Sequence, residues 1–170
     1  MKITETERLT IRHLTFDDAE FILSLVNQPP FLQFIGDKGV RSLDDARNYI
    51  RDGPMSSYEK YGFGSFCVTL TESGTPIGMS GLIKRDALDR PDIGFAILQQ
   101  YWRHGYAYEA ANAIVEYAQT VHQLDRISGI VNPDNEASIG LLTRLGFRFE
   151  RMVQMRDETK EIKLFQKDLR

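Results

Sequence analysis

Residues 91–121 read PDIGFAILQQYWRHGYAYEAANAIVEYAQTV. Ile93 to Leu98 is an apolar run with the length and composition of a strand. A polar, aromatic turn from Gln99 to His104 follows, then Gly105, then an amphipathic helix. In that helix Ala107, Ala110, Ala111, Ile114, Ala118 and Val121 fall on one face of a 3.6-residue period. The first turn of a helix carries unpaired backbone N–H groups and the positive end of the dipole. A glycine there lets the backbone approach a phosphate with no side chain in the way. The stretch therefore predicts a strand, an anion-binding turn and a helix.

Two common phosphate-binding sequences are absent: G-x-x-x-x-G-K-[ST] occurs nowhere, and only one glycine stands where G-x-G-x-x-G would need three. Trp102-Arg103-His104-Gly105-Tyr106-Ala107 instead resembles the R/Q-x-x-G-x-G/A motif of the GNAT N-acetyltransferase superfamily, which holds the pyrophosphate of acetyl-coenzyme A. Trp102 departs from the usual Gln or Arg. The longer run Tyr101 to Ala110 is similar to the Y-W-G-K-G-Y-A-x-E-A pattern of the Rim-type branch, which acetylates protein N-termini.

Working outward, Arg126 to Val131 reads as a strand. A strand–helix–strand unit of this kind is a right-handed crossover, so its two strands run parallel. Asn135 opens a further helix with Ser138, Leu141, Leu142 and Leu145 on one face, and Gly146 closes it. Phe147 to Met155 and Glu161 to Leu169 form a closing hairpin around Asp157-Glu158-Thr159. Upstream, Phe66 to Leu70 and Ile77 to Ile83 form a hairpin turning at Glu72 to Thr75. Glu7 to Leu14 is a first strand, and Thr15 to Asp18 cap a helix that ends at Pro29-Pro30. Phe31 to Gly39 is an apolar loop, a second helix capped by Ser42 ends before Gly53-Pro54, and Ser56 to Gly64 is expected to hold a further turn of helix. With no linker or repeat, residues 1–170 read as a single α+β domain with a mixed, mostly antiparallel sheet.

The second half of the chain extends the resemblance. Asn135-x-x-Ser138 and the helix end Arg144-Leu145-Gly146-Phe147 are similar to the superfamily's N-x-x-S and K-x-G-F. The resemblance implies the GNAT fold, with six to seven strands and two splayed parallel strands between which the pantetheine arm lies. It also implies an acetyl-CoA-dependent N-acetyltransferase in which a neutral amine attacks the thioester within a ternary complex. Acetyl-CoA would be held by Phe95, Ala96, Ile97 and Leu98, by Arg103, His104, Gly105, Tyr106 and Ala107, and by Asn135 and Ser138. Ile97 is the candidate oxyanion donor. Many members use a tyrosine as acid where this chain has Leu142, which leaves Ser138 as the candidate proton donor. The base stays open among Asp92, Glu109, Asp157, Glu158 and water.

The remaining composition narrows the alternatives. A net charge of −3 argues against a nucleic-acid partner, and no run reaches the roughly 20 apolar residues of a membrane helix. Cys67 is the only cysteine, so no intrachain disulfide forms and a cytoplasmic setting is expected. Three scattered histidines and one cysteine have no metal-ligand spacing. Asn135 serves equally well as a plain helix cap, Ser138 as a first-turn hydroxyl, and Phe31, Phe34, Tyr58 and Tyr61 as core aromatics rather than an acceptor pocket. The amine acceptor, a protein N-terminus or a small molecule, cannot be read from the sequence, and the oligomeric state is open, a homodimer included. A coenzyme A-binding module without catalysis is the alternative reading.

Overall fold

Two strands that touch at one point and then part set the architecture. In the computed structural model, which describes residues 1–155 and 160–170, β5 (Asp92–Ile97) and β6 (Arg126–Val131) are parallel neighbours with one paired position, Asp92 against Ser128. The Ser128 N–H donates to the Pro91 carbonyl at 2.9 Å. Beyond that pair the strands diverge.

The other strands are β1 (Lys2–Glu5), β2 (Leu9–Arg12), β3 (Ser65–Leu70), β4 (Pro76–Ile83), β7 (Arg148–Gln154) and β8 (Glu161–Asp168). They form one sheet in the order β1-β2-β3-β4-β5-β6-β8-β7, antiparallel everywhere except between β5 and β6. The mixed, mostly antiparallel sheet is the one expected, with eight strands where six to seven were. The extra one is β1, whose short, charged sequence carries no strand signal of its own and is ordered by pairing with β2. The turn of the closing hairpin, Asp157 to Thr159, lies outside the described residues.

The helices are α1 (Ala19–Leu25), α2 (Pro29–Phe34), α3 (Leu43–Ile50), α4 (Ser56–Tyr61), α5 (Tyr106–Thr120) and α6 (Glu136–Arg144). α5 covers one sheet face with Ala110, Ala111, Ala113, Ile114, Val115, Tyr117 and Ala118, packed on Ile93, Ile127 and Phe165. Each fully buried side chain the size of Ile114 contributes about 1.5–3 kcal/mol. Val121, expected on this stripe, is exposed, because the helix stops one residue before it. α1 and α3 cover the other face with Ile22, Leu25, Ala46 and Ile50 against Cys67, Met79 and Leu98.

Two expectations about proline are corrected. Phe31 to Phe34 is helical and not loop, because Pro29 and Pro30 occupy the first turn of α2, where a missing N–H costs nothing. Gly53-Pro54 does not stop the second helix: residues Arg51–Met55 form a wide π-type turn that carries the chain into α4.

Candidate active site

The gap between β5 and β6 is built by strand alternation. The Leu98 N–H donates to the Ile77 carbonyl of β4 at 2.8 Å. In an antiparallel pair the residues alternate in the side they bond. Ile97 and Phe95 therefore turn their N–H groups away from β4 and toward the gap. The Ile97 carbonyl points the same way and is taken by the indole N–H of Trp102 at 2.8 Å.

Next comes the turn. Arg103 has φ 66° and Gly105 φ 80°, both left-handed, on either side of His104. A left-handed backbone costs a residue with a Cβ roughly 1–2 kcal/mol, so glycine is the natural occupant of the second position. Among the described residues, no backbone N–H from Arg103 to Ala107 has a hydrogen-bond partner; the first N–H of this end to find a helical carbonyl is that of Glu109, bonded to the Gly105 carbonyl at 3.0 Å. A row of free N–H groups in an alternating turn at a helix start is an anion cradle. Arg103 and His104 are exposed beside it, with the His104 ring 5.6 Å from that of Tyr106.

Arg8 completes the cradle and is not legible in the sequence, standing almost a hundred residues upstream. Its guanidinium lies 4.5 Å over the Tyr106 ring, and its Nη2 would be 3.4 Å from a Cβ at Gly105. It is held there by Glu109, whose Oε1 accepts from Arg8 Nε at 2.8 Å and whose Oε2 accepts from the Arg8 N–H at 3.0 Å. Burial would raise the Glu109 carboxyl, but hydrogen bonds from Thr6 and Arg8 outweigh it and hold the group below the ordinary glutamate range. Glu109 is thus a clamp between the β1–β2 turn and α5, and a poor base.

Asp92 is different. It is 1 % exposed, and its carboxylate accepts from Arg85 Nε at 2.9 Å. Burial pushes its carboxyl up to about 6 against the opposing pull of Arg85. It stands where the two strands begin to part, on the α1/α3 face. Asp157 and Glu158, the other carboxylates considered as base, lie outside the described residues.

α6 closes the opposite face. The Asn135 side chain accepts the Ser138 N–H at 3.2 Å and so caps the helix. Ser138 is half-buried, and its hydroxyl has no partner among the described residues. Leu142 is buried against β6: a Cβ at Gly129 would lie 2.9 Å from Leu142 Cδ2, so only glycine lets α6 sit this close. The position is therefore packed into the α6–β6 contact. Of the aromatic candidates, Phe31 is buried in the core cluster that holds α1 and α3, and the Tyr58 hydroxyl bonds the Leu14 N–H and the Ser65 carbonyl. Among the described residues no group of His, Cys, Asp and Glu is placed to hold a metal ion, and no helix is long and apolar enough to cross a membrane.

Comparison with known proteins now decides the family. Residues 8–148 match the model of the acetyltransferase (GNAT) domain. The chain belongs to the GNAT acetyltransferases. It is 32% identical to the uncharacterized N-acetyltransferase YoaA of Bacillus subtilis over 150 residues, 87% of this chain and 84% of that one. An acetyltransferase from Agrobacterium tumefaciens has the same fold, with a TM-score of 0.83 at 23% identity, covering 98% of this chain and 94% of the other. So does RimL, a ribosomal L7/L12 alpha-N-protein acetyltransferase, with a TM-score of 0.83 at 12% identity over 99% of this chain and 94% of its own. The GNAT chain described here is an acetyltransferase, and members of its family generally use acetyl-CoA.

Proposed function

We propose that this GNAT protein transfers an acetyl group from acetyl-CoA to a primary amine, by direct attack of the neutral amine within a ternary complex. The observation that carries the reading is the coincidence of the β5–β6 gap with the row of free N–H groups at the start of α5. The residues present fit the cosubstrate. The N–H groups of residues 103–107, with Arg103, His104 and Arg8 beside them, suit a pyrophosphate, and the gap edge from Phe95 to Leu98 offers peptide groups to an amide-bearing arm.

Acetyl-CoA supplies the acetyl group as a thioester. The Ile97 N–H donates to the carbonyl oxygen as negative charge develops on it. Water takes the proton that the amine loses as the C–N bond forms and relays it toward Asp92, which stands five residues, roughly 16 Å, down the strand from Ile97. Ser138 gives a proton to the sulfur as the C–S bond breaks and takes one back from solvent water. A thiol pKa near 8.5 makes that leaving group tolerable at neutral pH, so acid help is modest. Positioning supplies the larger part, up to roughly 7–11 kcal/mol.

RimL is named for acetylating the alpha-amine of a ribosomal protein, which supports a primary amine as acceptor and leaves both protein N-termini and small amines in play. The test is thiol release from acetyl-CoA across a panel of amines, alongside coenzyme A binding by calorimetry. Turnover with at least one amine supports the reading. Binding with no turnover for any amine reduces the protein to a coenzyme A-binding module, and no binding removes the cradle's role.

A further inference from the structure

On the sheet face opposite α5 lies a polar cavity of about 140 Å³, lined by Ser128, Gln166, Arg151, Arg90 and Asp89 among others. Its floor is the sheet itself. Ser128 pairs with Gln166, and Arg151 with Leu164, so strand alternation places these four side chains on one face. Their neighbours Ile127 and Phe165 point the other way, into the α5 core. Its roof is the β4–β5 connection, which the Lys84 ammonium braces by donating to the carbonyls of Arg85 and Leu88 at 3.1 and 3.0 Å. The cavity adjoins the gap, because Ser128 is the cross-strand partner of Asp92.

The cavity is rich in donors. Ser128 is only 2 % exposed, and its hydroxyl lines this space without a hydrogen-bond partner among the described residues. The hydroxyl reaches solvent through this cavity and is free to donate to whatever enters it. The Gln166 carbonyl oxygen is occupied by Arg126 Nη1 at 3.2 Å, which leaves its amide N–H groups to donate. Neither Arg90 nor Arg151 has a carboxylate partner among the described residues, whereas Arg85 is committed to Asp92. Only Asp89 opposes an anion.

We propose that this cavity binds a carboxylate of the acceptor, so that the acetylated amine belongs to an extended small molecule that carries a carboxylate at its far end. The inference rests on the acetyltransferase reading and narrows it. Ser128 and the Gln166 amide donate to the carboxylate, Arg90 and Arg151 neutralise it, and the amine reaches past Asp92 along the gap toward Ile97, five residues or roughly 16 Å up the strand. The volume of about 140 Å³ suits the carboxylate end of such a molecule; whole drug-sized ligands need roughly 300 Å³ or more.

The experiment compares amino acids of increasing span with the amines left on removing their carboxylate: β-alanine with ethylamine, 4-aminobutyrate with propylamine, 6-aminohexanoate with pentylamine, 8-aminooctanoate with heptylamine. The expected result is a kcat/KM at least tenfold higher for the amino acid in one or more pairs. In Arg151→Gln the ratio within that pair falls at least tenfold, mainly through KM. Equal or better use of the plain amine in every pair, or preference for a peptide N-terminus over every amino acid, overturns the proposal. So does a ratio that Arg151→Gln leaves unchanged. A separate arm titrates N-acetyl-β-alanine into the coenzyme A complex and needs no turnover. Binding at least tenfold tighter to the wild type than to Arg151→Gln keeps the anion site even if no amine is acetylated; equal or absent binding removes it.

Discussion

The indole N–H of Trp102 holds the carbonyl oxygen of Ile97 at 2.8 Å, tying the cradle turn back to the end of the strand that feeds it. Trp102 is the position at which the chain departs from the superfamily's Gln or Arg, and the bond gives that departure a physical role. It fixes the peptide group after Ile97 while the Ile97 N–H faces the gap.

Replacing Trp102 with Phe keeps the ring and deletes the donor. The lost bond is half-exposed, so stability should fall by no more than about 1 kcal/mol. Turnover should fall several-fold or more at unchanged fold, because a small misplacement of a donor in a catalytic gap is costly. Steady-state kinetics with a thermal melt separates the two, and unchanged kcat would show that Ile97 needs no such tether.

Gly105→Val should abolish coenzyme A binding while the fold survives. A Cβ at Gly105 meets only the flexible tip of Arg8, at 3.4 Å, so packing tolerates it. The left-handed φ of 80° does not. The strain of roughly 1–2 kcal/mol would pull the turn out of its alternating conformation and scatter the free N–H groups. Calorimetric affinity equal to wild type would take the phosphate role from this turn.

Much of this site is legible in the sequence because it is local. The strand, the turn, the helix from Tyr106 and the Asn135 cap are each written in contiguous residues, and their spacing alone announces them. Arg8 is not, since nothing in residues 7–14 indicates that β2 delivers its neighbour to the start of α5. Leu142 is read in the sequence as the position of the superfamily's tyrosine, and the close contact with Gly129 adds that its side chain is spent on β6. β1 is missed because four residues, of which only Ile3 is apolar, become a strand through their partner, not through their own pattern. The proline errors around α2 and the turn after α3 share one cause. Proline forbids a bond, and a first turn or a wide turn does not need it.

Asp92 makes the pH dependence specific. Its carboxyl titrates at about 6 in the fold and near 3.8 when unfolded. A raised folded value stabilises the protein fully below the unfolded value, and that contribution is lost as pH rises through about 6. Relative to Asp92→Asn, the wild type should therefore lose roughly 3 kcal/mol between about pH 4 and pH 6 and then level off. Denaturant melts of both proteins across that range measure it, and a constant difference would show that Asp92 is not raised. If Asp92 is also the base, kcat/KM rises through the same pH, and the limb disappears in Asp92→Asn. A limb that persists in the variant assigns the proton to water or to the amine itself.

Ser138 faces a sharper choice than its sequence context offered. Its N–H is taken by Asn135 at 3.2 Å, while its hydroxyl has no partner among the described residues. Ser138→Ala thus removes no protein hydrogen bond and leaves the cap intact, so stability should change by less than about 0.5 kcal/mol. If the hydroxyl protonates the departing sulfur, kcat should fall toward the lower end of the roughly 10²–10⁴ typical of proton transfer, with acetyl-CoA affinity within a few-fold. Asn135→Ala serves as the control: losing the cap costs about 1 kcal/mol of stability whatever Ser138 does. Installing the superfamily's tyrosine at Leu142 does not rescue Ser138→Ala, because the phenol would enter the packed contact with Gly129 and cost roughly 1–3 kcal/mol in overpacking. Full activity in Ser138→Ala, with chemistry shown to be rate-limiting, eliminates Ser138 as the acid and leaves the thiolate to be protonated by water.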